Sequence, residues 1–265
     1  MIDRGRVDIL GIGVDVVDYE AAVDRIMAAA EDGRGYSVSA LAVHGVITGV
    51  DDAAHATRLK QLDLVTPDGQ PVRWAMNLLH GAGLRDRVYG PKLTLLVCQA
   101  AAARGLPVYL YGSNDHVLAH LARRLPTLAP GIQIAGMRPS KFGTATPAEL
   151  DEIAREVRDS GAKICMVGLG CPRQEVFVYE NAQRFGMPLM AVGAAFDYHA
   201  GLQSEPPAFI QRWGFQWLYR LCQNPRRLWR RYLVLNPRYA WGVARQRCGR
   251  ARPASGATPT HIGWA

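Results

Sequence analysis

Features that would place a protein outside the cytoplasm or across a membrane are missing from this sequence of 265 residues. The longest uncharged and mostly apolar run, Leu93 to Ala103, is far below the roughly 20 residues that a membrane-spanning helix needs. Met1 is followed by Ile2, Asp3 and Arg4, with no apolar run behind a basic start, so no signal peptide is visible. The sequence therefore predicts a protein that is made and kept in the cytoplasm.

The patterns of a disulfide framework and of a metal site are also missing. The five cysteines are odd in number and contain no CxxC pair: Cys98, Cys165, Cys171, Cys222 and Cys248. His116 and His120 lie four residues apart on a predicted helix, but a third ligand is not near them in the sequence, so a solvated helix face is the favoured interpretation. We expect free thiols in a reducing compartment, with no metal.

Acidic residues are absent after Glu205, although the same stretch contains eleven arginines. Residues 1–205 carry 20 basic and 23 acidic side chains, so the net charge of +8 arises from the tail alone. A charge asymmetry of this kind indicates an anionic partner for the basic segment. We therefore expect a slightly acidic body with a strongly basic tail.

From Leu106 onward, short apolar strands alternate with helices of about 10–15 residues, which is typical of a parallel sheet covered by helices on both faces. One of these helices opens with a capping box, Thr146 with Glu149. We predict an α/β fold with a Rossmann-like sheet and a C-terminal helical appendage. The triplet 11–13, Gly-Ile-Gly, lacks the third glycine of a dinucleotide fingerprint and is interpreted as a β feature. The predicted strands are 7–17, 36–50 (one strand or a pair), 62–65, 107–112, 132–137, 162–168 and 187–195.

Asp68 follows the short apolar segment that ends at Val65 and precedes a helix predicted from Gln70. Ligands of open α/β sheets collect beyond the carboxyl ends of the strands, where a carboxylate can accept a proton. The alternative interpretation is an ordinary turn Asp that caps the following helix with its side-chain oxygen.

Two later turns also carry polar residues at strand ends. Gly168 to Glu175 is a glycine-rich turn entering a helix, where free N–H groups can hold a diphosphate. Gln174 and Glu175 lie in its first turn, and Asp197 ends a run of small residues after another apolar strand. Because parallel strands end at one edge of a sheet, we expect Asp68, Gln174 and Asp197 to converge on one cleft.

The tail, residues 208–247, interleaves nine aromatic residues with its arginines, and Pro225 and Pro237 divide it into about three predicted helices. Amphipathic helices of this composition lie in the membrane interface, where anionic lipid attracts each basic residue. Nucleic acid binding and a packed helical cap are the alternatives, but no nucleic-acid recognition motif accompanies the tail. Residues 248–265 are expected to be disordered.

Four blocks, in this order, make the chain resemble the bacterial WecG/TagA/CpsF glycosyltransferases over residues 8 to 240. They are Asp63-Leu64-Val65-Thr66-Pro67-Asp68-Gly69, Arg87-Val88-Tyr89-Gly90, the turn from Gly168 to Glu175, and Gly193 to Asp197 followed by 217–221 and 225–228. The resemblance implies inverting transfer from a UDP-sugar to a polyprenyl-diphosphate-linked saccharide at the inner membrane face, in surface or exopolysaccharide assembly. No metal or other cofactor is implied, and the sequence has no convincing DxD motif.

By the same resemblance, Asp68 is the general base and Gln174 acts beside it in catalysis. Arg87 would meet diphosphate charge, and three arginines of the appendage would close over the site. The residues expected to bind substrate are Thr66, Arg87, Gly168, Gly170, Glu175, Asp197, Arg220, Arg226 and Arg227. Without a metal, arginines and N–H donors must neutralise the UDP leaving group.

This chain departs from the family pattern at two places. Ala40 and Ala42 stand where a Thr-x-Asn pair is common, and Lys92 replaces an acidic residue. The resemblance therefore does not identify the transferred sugar and the acceptor sugar as N-acetylmannosamine and N-acetylglucosamine. We expect a catalytic domain over 1–204 and a membrane-association appendage over 205–247. Members of the family often self-associate, so the resemblance allows a homo-oligomer. No nucleic acid partner is expected. The alternative is a non-catalytic nucleotide-sugar or lipid-binding module.

Overall fold

The computed structural model describes residues 1–249 and 257–265, except for the side chains of Ala208, Arg227 and Arg231. The strands are β1 Asp3–Ile9, β2 Ile12–Val17, β3 Tyr36–Leu41, β4 Leu64–Pro67, β5 Val108–Gly112, β6 Ile134–Arg138, β7 Ile164–Gly168 and β8 Pro188–Ala191. The helices before the tail are α1 Tyr19–Glu31, α2 Val43–Asp51, α3 Ala53–Gln61, α4 Gln70–His80, α5 Gly90–Ala103, α6 Asp115–Leu128, α7 Pro147–Asp159, α8 Arg173–Phe185 and α9 Ala195–His199.

Six parallel strands form the central sheet in the order β4-β3-β8-β7-β5-β6. Alternate residues of each central strand enter two separate cores, as Cys165 and Val167 face one and Ile164 and Met166 the other. Helices cover both faces, as α5 and α6 lie over one core and α7 and α8 over the other. The predicted Rossmann-like α/β fold is thereby confirmed, as is the capping box of α7.

The strand predicted over 7–17 is instead an antiparallel hairpin of β1 and β2 outside the main sheet. Ile9 pairs with Ile12, and both turn residues, Leu10 and Gly11, have positive φ. A two-residue turn of this kind matches the twist of the flanking strands. Gly11 is therefore a hairpin residue, which agrees with its interpretation as a β feature.

The prediction of one strand or a strand pair over 36–50 was wrong in its second half. β3 ends at Leu41, and residues 43–51 form helix α2. Its buried residues Val43, Val46 and Ile47 have helical spacing, which a short run of β-branched residues does not distinguish from a buried strand. The strand predicted over 187–195 is also shorter, because β8 ends at Ala191 and α9 begins at Ala195.

The tail forms helices α10 Ala208–Arg212, α11 Gln216–Gln223 and α12 Pro225–Trp229, a π-helical turn over Arg230–Val234, and α13 Leu235–Arg247. Pro225 begins a helix as predicted, but Pro237 lies within the first turn of α13 rather than dividing two helices. Because the helical run is continuous from Pro225 through the π-helical turn into α13, Pro237 removes one intrahelical N–H bond directly after the turn where the regular hydrogen-bond pattern already changes. No helix in the described part of the chain is both long and apolar enough to cross a bilayer.

Helix α13 packs on the α/β body. Tyr239 and Val243 are buried in the core that contains α2 and α4. The Gln246 amide accepts the N–H of Leu10 at 2.8 Å and donates to Asp8, and Arg238 pairs with Asp51. The last helix therefore belongs to the packed body, whereas a domain boundary near residue 204 stays a prediction.

The expected disorder of 248–265 does not hold for residues 257–265, which contact the body. The buried Glu180 carboxylate accepts the N–H groups of Ile262 and Gly263 at 2.9 and 3.0 Å. The Ala265 N–H donates to the Gly143 carbonyl at 3.1 Å. The composition of this segment predicts backbone groups that are hydrogen-bonded to water, whereas these long-range bonds pair them with the body of the protein. Residues 250–256 lie outside the described residues.

The packing of α13 predicts the effect of removing its buried aromatic ring. Tyr239 is 3% exposed, so Tyr239→Ala should lower the free energy of unfolding by about 3–5 kcal/mol through lost burial and the cavity left behind. Trp241 on the same helix is 68% exposed, so Trp241→Ala should change it by no more than about 0.5 kcal/mol. Urea unfolding measures both, and equal effects would contradict the packing.

Candidate active site

A cleft of about 310 Å³ lies at the carboxyl ends of β3, β4, β7 and β8. Strand ends and the turns after them form its floor, and α11 and α12 contribute one wall. Five of the residues predicted for the site from strand-end turns line this cleft together with Gly170: Asp68, Gly168, Gln174, Glu175 and Asp197. The structure therefore brings together the three turns that the sequence predicted to converge.

Asp68 is half-buried in the turn after β4. It directly precedes Gly69, the N-cap position of α4. One carboxylate oxygen of Asp68 accepts the N–H of Gly90, the first residue of α5, at 3.0 Å. The Asp68 N–H donates to the Leu41 carbonyl at 3.2 Å. The carboxylate is thus held between two elements and borders the cleft.

The glycine-rich turn after β7 is held by the side chain of Gln174. The Gln174 amide oxygen accepts the Gly170 N–H at 3.1 Å, and its nitrogen donates to Glu175 at 2.9 Å. Gly170 has a φ of +77°, which favours glycine. At Gly168 a Cβ would lie 2.6 Å from the Phe196 ring. Because its amide is engaged within the protein, Gln174 positions the turn that forms the cleft floor.

Glu175 lies at the base of the cleft and is 1% exposed. One carboxyl oxygen accepts from Gln174 and from the Ser39 hydroxyl, the latter at 3.2 Å. Burial raises the pKa of Glu175, and the hydrogen bonds from its neighbours only partly oppose this effect. Glu175 therefore supports the turn through its hydrogen bonds, while burial disfavours its charged form beneath the cleft.

Arg87 and Arg220 lie on the side of Asp68 that faces the tail. The Arg87 guanidinium is buried, donates to Gln216 at 2.5 Å and to Gln211 at 3.3 Å, and stacks over the Tyr89 ring at 4.4 Å. Burial lowers the pKa of Arg220, but the nearby Tyr232, Tyr198, Tyr89 and Asp68 raise it above its usual value. Arg87 is therefore held by two amide side chains and an aromatic ring, while the pKa of Arg220 stays above its usual value.

Two further cavities continue from Asp68 along the tail helices. The first, of about 90 Å³, is lined by Asp68, Gln216 and Arg220. The second, of about 560 Å³, shares Arg87 and Tyr89 with the first. Asp68 therefore lies where the cleft over the glycine-rich turn meets a second path beneath the tail.

Two residues predicted to bind substrate, Thr66 and Arg226, are not among those that line these cavities. Thr66 is fully buried within β4, and its hydroxyl has no hydrogen-bond partner in the described part of the chain. It is therefore a core residue in this structure. Arg226 is exposed at the start of α12, outside all three cavities. The side chain of Arg227 lies outside the described residues.

Several cavity residues were not selected from the sequence. Tyr89 and Tyr198 line the cleft, and so do Gln203 and Asn224. Tyr89 belongs to the motif block Arg87-Val88-Tyr89-Gly90, from which only Arg87 was predicted to bind substrate. Membership of that block is the sequence signal that could have identified Tyr89. Tyr198 directly follows Asp197, whereas nothing local distinguishes Gln203 or Asn224. Their placement depends on how the tail folds back over the sheet.

The histidine pair on α6 is a local feature. The rings of His116 and His120 are 4.6 Å apart. Within residues 1–249 and 257–265, no three His, Cys, Asp or Glu side chains are grouped as metal ligands. The pair provides only two of the three side chains in such a group, so it stays a feature of the α6 surface.

The raised pKa of Glu175 predicts a pH-dependent stability difference for Glu175→Gln. An unfolded chain ionises this residue above about pH 4.3, whereas the folded chain keeps it protonated to higher pH. Wild-type stability should therefore fall as pH rises from about 4.3, and the glutamine variant should lack this contribution. Urea unfolding at pH 5 and 7.5 should show the variant gaining on the wild type at the higher pH. Parallel pH profiles would contradict the assignment, and Glu175→Ala, which loses the hydrogen bonds, is the control.

Comparisons with known proteins agree with this geometry. Residues 7–253 match the model of the glycosyl transferase WecG/TagA/CpsF family. The chain is 31% identical over 196 residues to the N-acetylglucosaminyldiphosphoundecaprenol N-acetyl-beta-D-mannosaminyltransferase of Bacillus spizizenii. The matched region covers 74% of this chain and 73% of that protein. Both the fold and the order of the site turns fit an enzyme of this class. The chain therefore belongs to the WecG/TagA/CpsF family and is a glycosyltransferase.

Proposed function

We propose that this enzyme transfers a sugar from a UDP-sugar to a polyprenyl-diphosphate-linked saccharide, with inversion and with Asp68 as general base. The observation that carries the proposal is the position of Asp68 between the 310 Å³ cleft and the 90 Å³ cavity. A base must reach the acceptor hydroxyl while the donor lies on the other side of the reacting oxygen. The Bacillus relative is named for transfer to N-acetylglucosaminyldiphosphoundecaprenol, which supports a lipid-diphosphate acceptor for this chain.

The chemistry follows from one carboxylate at the junction. The acceptor oxygen attacks the anomeric carbon of the donor as Asp68 takes its proton, and the bond from that carbon to the UDP oxygen breaks. A single displacement inverts the anomeric centre. The hydrogen bond from the Gly90 N–H orients the Asp68 carboxylate.

Charge on the departing UDP requires nearby cations or N–H donors. Arg220 borders both the cleft and the small cavity, so it is positioned to meet the developing diphosphate charge. The glycine-rich turn allows a nucleotide to approach the backbone closely at Gly170. We assign leaving-group stabilisation to these protein groups, without a metal ion.

The donor sugar is expected to contact Ala40 and Ala42, which line the cleft beside Asp68. Two methyl groups offer no hydrogen bonds, so this wall selects the donor by shape rather than by polar contacts. A sugar other than N-acetylmannosamine is consistent with such a wall. We place the reaction in the assembly of a cell-surface polysaccharide or exopolysaccharide.

We also propose that α10 to α12 and the π-helical turn bind the inner face of the cell membrane. Large apolar side chains are exposed along this segment: Phe209, Trp213, Phe215, Leu218, Trp229, Leu233 and Val234. Arginines accompany them, and after Glu205 no acid opposes their attraction to anionic lipid. The lipid-linked acceptor would then reach the site from the bilayer on which the tail lies.

Asp68→Asn tests the base. The variant keeps the size of the side chain and an oxygen for the Gly90 N–H, so it should fold and bind UDP while transfer falls by roughly 10²–10⁴-fold. The assay is UDP release with a panel of UDP-sugars and a short-chain prenyl-diphosphate sugar, with NMR of the product anomer. Asp197→Asn is the matched variant in the same cleft and should lose less. Full activity of Asp68→Asn, or a retained anomer, would refute the mechanism.

Phe209→Ala with Trp229→Ala tests membrane binding. Each large apolar side chain withdrawn from the bilayer costs about 1.5–3 kcal/mol, so sedimentation with phosphatidylglycerol vesicles should require at least about tenfold more lipid. Met137→Ala is the control, because Met137 is similarly exposed but lies on β6 at the sheet edge. If the control and the double variant bind alike, the tail is not the membrane contact.

A further inference from the structure

Five cationic side chains line the cavity of about 560 Å³ that continues beyond Arg87. They are Arg73, Arg85, Arg87, Lys92 and Arg212. Asp86 is the carboxylate in the wall, and one of its oxygens accepts the Arg87 N–H at 2.8 Å and the Gln70 amide at 3.3 Å. Among the ion pairs of the described residues, none joins a carboxylate to any of the five cations.

Uncharged groups, rather than carboxylates, hold three of these cations. Lys92 lies over the Tyr19 ring at 4.6 Å, and the Tyr19 hydroxyl is fixed by the Tyr89 N–H at 2.9 Å. Arg87 stacks on Tyr89 in the same way, and Arg73 donates to the carbonyls of residues 84 and 85. Aromatic faces and carbonyls orient a cation without cancelling its charge. Like charges gathered in this way repel one another unless an anion lies between them.

We propose that this cavity binds the diphosphate of the lipid-linked acceptor, with the lipid chain leaving past Trp74 and Trp213. The inference deepens the proposed function and rests on it. In such an acceptor the diphosphate is joined to the sugar that carries the attacking hydroxyl. A hydroxyl at Asp68 therefore places the sugar in the 90 Å³ cavity and the diphosphate in the next one, which is the cationic cavity.

Two arginines that line the cavity are each followed in the chain by an exposed tryptophan, and we place these two pairs at its rim. Arg73 precedes Trp74 on α4, and Arg212 at the end of α10 precedes Trp213, with the tryptophans 46% and 71% exposed. The two segments meet, since a Cβ on Gly214 would lie 2.7 Å from the Trp74 ring. Tryptophan beside a cation suits the level of lipid headgroups. An anion with an apolar chain fits this rim, whereas a nucleotide would leave the tryptophans uncovered.

Four of the five cations are residues that the family resemblance did not single out as ligands, and Arg87 is the exception. Lys92 stands where the resemblance implies an acid, and an acid there would repel a diphosphate. Arg73, Arg85 and Arg212 lie outside the four motif blocks. Added positive charge around the motif residue Arg87 therefore defines this subsite.

Lys92→Gln and Arg212→Gln, singly and combined, test the inference on the full-length protein. The probes are farnesyl diphosphate, inorganic diphosphate, UDP and phosphatidylglycerol vesicles, with binding measured by calorimetry or sedimentation. The double variant should bind farnesyl diphosphate at least about tenfold more weakly, with UDP affinity within about twofold of the wild type. Inorganic diphosphate should bind more weakly than farnesyl diphosphate and lose affinity in the same variants. Arg155→Gln removes an exposed arginine of α7 as the control and should change nothing.

Unchanged farnesyl diphosphate binding in the double variant would overturn the inference, as would an equal loss of UDP binding, which would assign the cavity to the donor. Equal affinity for farnesyl and inorganic diphosphate would overturn the lipid exit, and a loss confined to vesicles would indicate a phospholipid surface instead. The single variants give the same comparison if the double variant does not fold. A protein that binds farnesyl diphosphate through Lys92 but transfers no sugar would retract the proposed reaction and leave this site in place.

Discussion

The hydrogen bond between the Gly90 N–H and the Asp68 carboxylate is the contact on which the site depends. It joins the end of β4 to the first residue of α5, while the Asp68 N–H joins the same turn to β3 through Leu41. The approach is possible because position 90 has no side chain, since a Cβ there would lie 3.2 Å from the Ala40 methyl group. Two small residues thus allow three elements to meet at one carboxylate.

The parallel register of the sheet then fixes what surrounds Asp68. β7 and β8 end beside β3, so the glycine-rich turn and the turn before Asp197 reach the same edge. Gly112 and Gly168 pack so closely that a Cβ on Gly112 would lie 2.9 Å from the backbone of Gly168. Glu175 contributes hydrogen bonds beneath this edge, and burial keeps its pKa raised. The cleft therefore has a hydrogen-bonded floor, in which burial disfavours the charged form of Glu175, beneath a wall that carries Arg220.

Local patterns predicted the parts of this site that arise from strand ends. Asp68, Gly168, Gln174 and Asp197 each follow or enter a turn, and turn chemistry together with alternating elements was enough to bring them to one edge. Thr66 is fully buried within β4, in a sheet covered on both faces, so its contact with substrate stays a prediction. The hairpin of β1 and β2 is local, but its turn residues Leu10 and Gly11 lie within an apolar run that also fits a single strand. Only the packing of residues 257–265 depends on contacts with distant segments, which no local window contains.

The tail completes the site as well as covering it, because the buried Arg87 is held by Gln216 of α11 and Gln211 of α10. Arg220 of α11 faces Asp68 from the same side. A displacement of α10 and α11 would therefore remove the partners of Arg87 and withdraw a cation from the cleft together. Among the exposed aromatic residues, Phe209 lies on α10, and Trp213 and Phe215 lie in the turn that joins α10 to α11. A surface that covers these three residues would also restrain the groups that hold Arg87. Under the proposed membrane binding, attachment of the tail and the position of Arg87 would therefore be coupled through this pair of short helices.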